Sequence, residues 1–330
     1  MSGASASTAT ATIAIAEAPR KIALAAPGER PARNQRTQQY VGRFAPSPTG
    51  SLHLGSLLAA LGSYADARSR AGRWLVRMED LDRARVVAGS ADSILRTLEG
   101  FALHWDGAVE YQSARTQHYT AALETLRSLG ATFECSCSRR ELESESPYPG
   151  NCRAGPRRDG PTAVRFRVRE EILSVEDRLQ GRQEFRLSES GDVIVRRRDG
   201  VFAYQLAVVV DDALQEVTDV VRGADLLAST PWQIALQQAL QLPTPRYAHL
   251  PVVTEPSGEK LAKSRRSIVL DPAEAGRQLY GALRLLQQHP PAELELEPAA
   301  VIVRWACSHW RPERLQGVRE VRAVAYGTSV

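Results

Sequence analysis

From Tyr40 the chain writes a short apolar strand, a turn stiffened by Pro46 and Pro48, a helical run over Leu54–Arg70 and a second apolar strand at Trp74–Met78. Strand, tight turn, helix and buried strand in that order open an α/β unit. No other feature constrains the fold as much, because a parallel sheet must be covered by helices on both faces. The alternation continues with helices read at 90–103 and 115–129 and a strand at Ala131–Phe133 that leads into a loop-rich insertion at about 135–160. Short β-like runs at 163–168, 183–187 and 192–197 are hairpin material. Val217–Val221, a helix over 224–240 and His249–Val253 then restore the alternation, and amphipathic helices near 272–288 and 297–308 follow. No internal repeat is visible.

With 330 residues, 43% of them apolar, the chain can bury the core of one large domain or two modest ones. No apolar run approaches the roughly 20 residues that span a bilayer, which argues against a membrane protein. Residues 1–38 are rich in Ala, Ser and Thr without an apolar period and are expected to form a disordered extension outside the fold. Glu17 breaks their one apolar stretch and no basic segment precedes it, against a secretory signal. An organellar transit peptide or a start assigned too far upstream also fits this composition; the expected compartment is the cytoplasm. A net charge of +4 and a pI near 9.0 permit a nucleic-acid partner without requiring one.

The turn between the first strand and the first helix reads Arg43-Phe44-Ala45-Pro46-Ser47-Pro48-Thr49-Gly50-Ser51-Leu52-His53-Leu54-Gly55-Ser56. A strand-to-helix junction attracts phosphates and carboxylates, because free backbone N–H groups and the helix dipole point at the ligand. Small residues at Gly50, Ser51 and Gly55 would let a nucleotide approach, and His53 could donate to a phosphate oxygen; the plain alternative is a stiff turn with a surface histidine. Positive charge is written almost wholly as arginine. Among 42 cationic side chains only Lys21, Lys260 and Lys263 are lysines. Two of these stand in Lys260-Leu261-Ala262-Lys263-Ser264, after Glu255-Pro256-Ser257-Gly258, where compact ammoniums could neutralise a pyrophosphate leaving group. A solvated surface loop is the alternative.

Of the four cysteines, Cys135, Cys137 and Cys152 crowd together while Cys307 lies in a helical run and reads as a packed apolar residue. Cys135-x-Cys137 followed by Tyr148-x-x-x-Cys152 has the compact spacing of a structural zinc site in a reducing compartment. Three thiolates favour zinc over hard cations. Three reduced, buried cysteines without a metal are the other possibility.

Together the Arg43–Ser56 and Lys260–Ser264 strings resemble the HIGH and KMSKS signatures of class I aminoacyl-tRNA synthetases, in the wording of the glutamyl branch. The same branch is matched by Leu75-Val76-Arg77-Met78-Glu79-Asp80-Leu81-Asp82, by Tyr204-Gln205-Leu206-Ala207-Val208-Val209-Val210-Asp211-Asp212 and by Val217-Thr218-Asp219-Val220-Val221-Arg222-Gly223-Ala224-Asp225. The resemblance covers about residues 40–267. It implies an α/β fold with a Rossmann-type catalytic domain over 39–267, a zinc-containing insertion, and a short helical C-terminal region over 268–330 that is no full anticodon-binding domain. It implies a glutamate pocket formed by Arg43, Phe44, Ala45, Pro46, Ser47, Glu79, Tyr204 and Arg222. ATP would be held by His53, Gly55 and Lys260–Ser264, with His53, Lys260 and Lys263 stabilising the reaction. Two cations, an anion and a hydroxyl suit a substrate with two carboxylates and one ammonium, although Glu79 could be a surface ion pair and Tyr204 a core residue. Ser56 replaces the second histidine of the first signature, and Leu261-Ala262 replaces Met-Ser in the second; both departures occur in the glutamyl branch.

The three cysteines with Tyr148 match the short branch that glutamylates queuosine in tRNA(Asp), with one zinc per chain and Mg²⁺ accompanying ATP. The chain from Ser264 to Val330 is shorter than a typical domain of about 100 to 150 residues, which also suits that branch. The implied partners are ATP, L-glutamate and queuosine-bearing tRNA(Asp), acting on a monomer without a membrane. An ordinary glutamyl-tRNA synthetase and an inert tRNA-binding paralogue are the rivals.

Overall fold

All four residues of Val41–Phe44 are buried, as a central strand of a parallel sheet requires. The computed structural model describes residues 39–138, 140–142, 147–254 and 269–322. The expected extension 1–38, and Lys260, Leu261, Ala262, Lys263 and Ser264, lie outside the described residues.

The first part of the chain forms β1 (Val41–Phe44), α1 (Leu54–Arg68), β2 (Arg73–Met78), α2 (Ser90–Gly100), β3 (Glu110–Tyr111) and α3 (Thr116–Ser128). Next come β4 (Thr132–Cys135), β5 (Ala163–Phe166), β6 (Ile172–Asp177), β7 (Gly181–Arg186), the one-turn α4 (Leu187–Ser190) and β8 (Val193–Arg196). The last part contains α5 (Tyr204–Leu214), β9 (Asp219–Gly223), α6 (Thr230–Ala239), β10 (Arg246–Leu250), β11 (Val252–Thr254), α7 (Ala275–Leu285), α8 (Ala299–His309) and β12 (Glu320–Arg322). The helix expected over 224–240 is split into a 3₁₀ segment, Ala224–Ser229, followed by α6. Pro231 has no N–H to continue an α-helical ladder from the preceding segment, and it stands in the first turn of α6, where proline is tolerated.

Strands β1, β2 and β3 pair in parallel, as do β9 and β10, and β10 also pairs in parallel with β6. The two groups adjoin where the Thr218 amide donates to the Val41 carbonyl (2.9 Å) and the Val41 amide donates to Thr218 Oγ1 (2.9 Å). The resulting order β3-β2-β1-β9-β10 reverses direction of build between β1 and β9, the switch point at which open α/β sheets bind ligands. Apolar side chains alternate between the two faces. Phe44, Trp74, Val76, Met78, Val221, Ala248 and Leu250 pack with α1, α7 and α8. Val41, Leu75, Val220 and Tyr247 pack with α3, α5 and α6 on the other face. Gly62 lets α1 lie close to β10, since a Cβ there would meet Leu250 Cδ1 at 2.6 Å. The β4-β5-β8 sheet is antiparallel, and β6 and β7 form a hairpin.

Candidate active site and cysteine cluster

Period-2 geometry delivers the polar residues of the site to one place. Each face that begins apolar with Val41, Leu75, Val220 and Tyr247 continues two residues later into Arg43, Arg77, Arg222 and His249. Four adjacent strands therefore aim charged or polar groups into the same layer toward their carboxyl ends. All four side chains are buried. Burial of cations at this density demands partners. Arg43 pairs with Asp212 (3.3 Å), and Arg77, fully buried, meets Asp212 at 2.8 Å, Glu79 at 3.6 Å and Asp211 at 3.8 Å. Asp211 is itself held by Tyr119, Gln112 and Arg115 at 2.7, 2.9 and 2.7 Å.

Glu79 is not a surface ion pair. Its amide donates to the Pro46 carbonyl (2.9 Å), tying β2 to the turn after β1, and its side chain is only 9% exposed. Its Oε1 accepts no hydrogen bond among the described residues. Burial, partly offset by Arg77 and Arg43 and reinforced by Asp212 and Asp211, pushes its carboxyl up to about 7. The result is a buried acceptor with spare capacity beside two guanidiniums.

Arg222 spends all five of its donors. Nε donates to His249 Nε2 (3.0 Å), Nη1 to Tyr204 Oη (3.2 Å) and Gln233 (2.8 Å), and Nη2 to Thr230 Oγ1 (3.0 Å) and the Leu226 carbonyl (3.3 Å). Tyr204, half-buried at the start of α5, accepts from this guanidinium, so its own O–H is directed elsewhere. Ala45 and Pro46 are half-buried and Ser47 is exposed along the turn, whereas Phe44 faces the core and stacks with Trp74.

His53 caps α1. Its Nδ1 accepts from the Ser56 amide (3.3 Å), which leaves Nε2 as the donor of a neutral ring, and burial lowers its pKa. A Cβ on Gly55 would lie 3.1 Å from this ring, so a glycine lets the imidazole fold over the helix N-terminus. Ser90 fixes the turn by accepting from the Gly50 amide (3.1 Å) and donating to its carbonyl (2.7 Å). Val269, the first described residue after 255–268, forms a bridge with His53, and the Leu270 amide donates to the Leu52 carbonyl (3.3 Å).

At the end of β4 the three clustered cysteines place their sulfurs within 4.8 Å of one another. Cys137 Sγ lies 3.5 Å from Cys152 Sγ, and Tyr148 Oη lies 3.5 Å from Cys135 Sγ and 3.9 Å from Cys137 Sγ. Tetrahedral ligands about 2.3 Å from a zinc ion would stand about 3.8 Å apart. Donor set and spacing therefore fit a four-coordinate ion. Cys307 lies apart in α8, packed against the core, where burial raises its thiol to about 11.

A family model described as tRNA synthetases class I (E and Q), catalytic domain, matches residues 39–280. The chain belongs to this family. A curated relative from Ectopseudomonas mendocina, named glutamyl-Q tRNA(Asp) synthetase, is 52% identical over 280 residues, 84% of this chain and 95% of the relative. A relative of the same name from Pseudomonas aeruginosa is 50% identical over 281 residues, 84% of this chain and 96% of its own. Among solved structures, a glutamate-tRNA synthetase from Elizabethkingia anophelis shares the fold, with a TM-score of 0.73 at 23% identity over 87% of this chain and 68% of that one.

In this class I synthetase the structure thus brings Arg43 and Glu79 together on one side of the switch point and Tyr204 and Arg222 on the other. Arg222 on β9 stands between Arg43 on β1 and His249 and Tyr247 on β10. The pocket assignment left out Arg77 and Asp212, which stand within the matched strings, and Asp177 and His249, which do not. The first, second and fourth were readable as charged positions two residues beyond, or within, apolar strand and helix runs; Asp177 was not, because its importance depends on where a hairpin docks.

Proposed function

We propose that the chain activates L-glutamate with ATP and transfers the glutamate to the queuosine base in the anticodon of tRNA(Asp). The observation that carries this reading is the match to glutamyl-Q tRNA(Asp) synthetases across 95–96% of their length. Arg43 and Arg222 supply cations for the two carboxylates of the substrate, Glu79 faces its ammonium, and the Tyr204 hydroxyl, polarised by Arg222, donates to a carboxylate. Phe44, Ala45, Pro46 and Ser47 form the wall of the turn. A glutamate α-carboxylate oxygen attacks the ATP α-phosphorus in line, and the bond to the pyrophosphate oxygen breaks. His53 Nε2 and the α1 N-terminus by Gly55 hold phosphate, while Lys260 and Lys263, with Leu261, Ala262 and Ser264 of their loop, neutralise the leaving pyrophosphate; Mg²⁺ accompanies ATP. A hydroxyl of the queuosine cyclopentenediol then attacks the glutamyl carbonyl and AMP departs.

Cys135, Cys137, Cys152 and Tyr148 would hold one zinc ion, whose contribution is to fold the 135–160 insertion rather than to react. The protein is read as a cytoplasmic monomer with a catalytic domain over 39–267 and a helical region over 268–330. Labelled glutamate and ATP supplied with tRNA(Asp) that carries or lacks queuosine test the acceptor. Label confined to the first anticodon position of queuosine-bearing tRNA supports the reading. Label on the 3′-terminal adenosine, or equal labelling without queuosine, returns the protein to the ordinary glutamyl-tRNA synthetases, and no glutamate-dependent ATP–pyrophosphate exchange makes it an inert paralogue.

A further inference from the structure

His249 lies wholly buried between two groups that dictate its proton. Arg222 Nε always carries hydrogen and sits 3.0 Å from His249 Nε2, so that nitrogen must accept. The imidazole proton then resides on Nδ1, 2.5 Å from Asp177 Oδ2. Asp177 ends β6, and its other oxygen accepts from the amides of Leu179 (3.0 Å), Gln180 (2.8 Å) and His249 (3.2 Å). Both side chains of the pair are 0% exposed. The remaining groups facing the ring are Thr230 Oγ1 from α6 at 3.4 Å, Tyr247 stacked alongside at 6.1 Å, and Arg43 from β1. Two cations and one carboxylate face this ring, and burial with Arg222 and Arg43 keeps it neutral against the pull of Asp177.

We propose that Asp177 and His249 form a positioning pair for glutamate recognition: the carboxylate fixes the imidazole tautomer, and the imidazole fixes the Arg222 guanidinium at the substrate carboxylate. This rests on the assignment of the Arg222 pocket to glutamate. The β6–β7 hairpin becomes part of the amino-acid site through the contact of Asp177 with His249. Without an acceptor at Nε2, the Arg222 Nε–H is buried and unpaired, and the guanidinium must rotate to find another partner.

Asp177→Asn separates positioning from folding. Asparagine keeps Oδ1 for the three backbone amides but offers N–H where Oδ2 stood, so His249 must place its proton on Nε2, against Arg222. Expected in ATP–pyrophosphate exchange is a rise in glutamate KM of at least about tenfold with kcat and the KM for ATP within about threefold. His249→Phe should behave alike, whereas His249→Gln, which keeps an acceptor, should recover most of the affinity. Nitrogen-15 spectra of the unmutated protein, with the His249 signal identified by its loss in His249→Gln, should show Nδ1 protonated and Nε2 bare at neutral pH. An Nε2-protonated His249 in the parent overturns the proposal even where a variant fails to fold. So does an unchanged glutamate KM in Asp177→Asn, or equal losses in both KM values and kcat. A parent chain that fails to activate glutamate at all overturns the pocket assignment, and with it this inference.

Discussion

The arginine cradle at the switch point and the cysteine cluster are both polar sites set in buried surroundings, yet they are held by opposite means. In the cradle the protein satisfies itself: Arg43, Arg77 and Arg222 are each paired or hydrogen-bonded by named side chains, and four buried strands set their spacing. The cluster has almost no core of its own. Phe133, Cys135 and Cys152 are its buried members, with Cys137 and Tyr148 packed beside them. Such a core is too small to fix three sulfurs by apolar burial, and a bound ion is the natural substitute. The contrast teaches that preorganisation can come from the fold or from a ligand, and that only the first survives removal of small molecules.

Breaking the cradle should therefore have the largest effect and should be felt throughout the domain. Arg77→Met leaves Glu79, Asp211 and Asp212 buried without their common cation, a change of the kind that costs about 3–5 kcal/mol. Denaturant unfolding should show a loss on that scale, with glutamate activation gone. A loss below about 1 kcal/mol would place the balance of charge elsewhere, in Arg43 and Arg115.

Breaking the cluster should be local. Cys135→Ser, or a strong chelator, should remove one zinc per chain and lower amide-exchange protection at least about tenfold in β4, β5 and β8, with β1, β2 and β9 unchanged. Adenylate formation should stay within about threefold of the parent. A metal content near zero in protein prepared without chelators, or collapse of protection in every strand, would mean that the cluster is not held locally by an ion.

The same contrast explains what could be read from the sequence. Local spacing announced the cluster, because ligands brought together by a short loop leave a compact string. The turn from Arg43 to Ser56 was readable for the same reason, and α1 and β2 lie within a few residues of their expected bounds. Helix α5 is buried all round over Leu206–Asp212, and an apolar run of that length does not by itself tell a helix from a buried strand. Asp177 could not be recognised, since its meaning arises only when β6 pairs with β10 and carries it to His249. Non-local pairing leaves no trace in the spacing of residues. The domain boundary near 267 and the roles of Lys260 and Lys263 rest on family likeness, because those lysines lie outside the described residues.

The smallest effect expected is a fraction of a proton, and it distinguishes a cradle that is merely well packed from one tuned to an ammonium. Glu79 is an acid raised by burial from its ordinary 4.5 to about 7. The folded chain therefore keeps a proton that the unfolded chain gives up, so this group's contribution to stability is present below pH 4.5 and lost as pH rises through about 7. Substrate reverses the preference, because an ammonium beside the carboxylate favours the ionised form. Glutamate binding at pH 7 should release roughly half a proton, approaching zero at pH 9, and glutamate KM should fall as pH rises through 7 and then level off. Calorimetry in buffers of different ionisation enthalpy measures the release directly. Glu79→Gln should abolish it and raise glutamate KM about tenfold or more while leaving the cysteine cluster and its metal untouched. Proton uptake on binding, or a release that persists in Glu79→Gln, would move the ammonium site away from Glu79 and leave its carboxylate as an ion partner of Arg77.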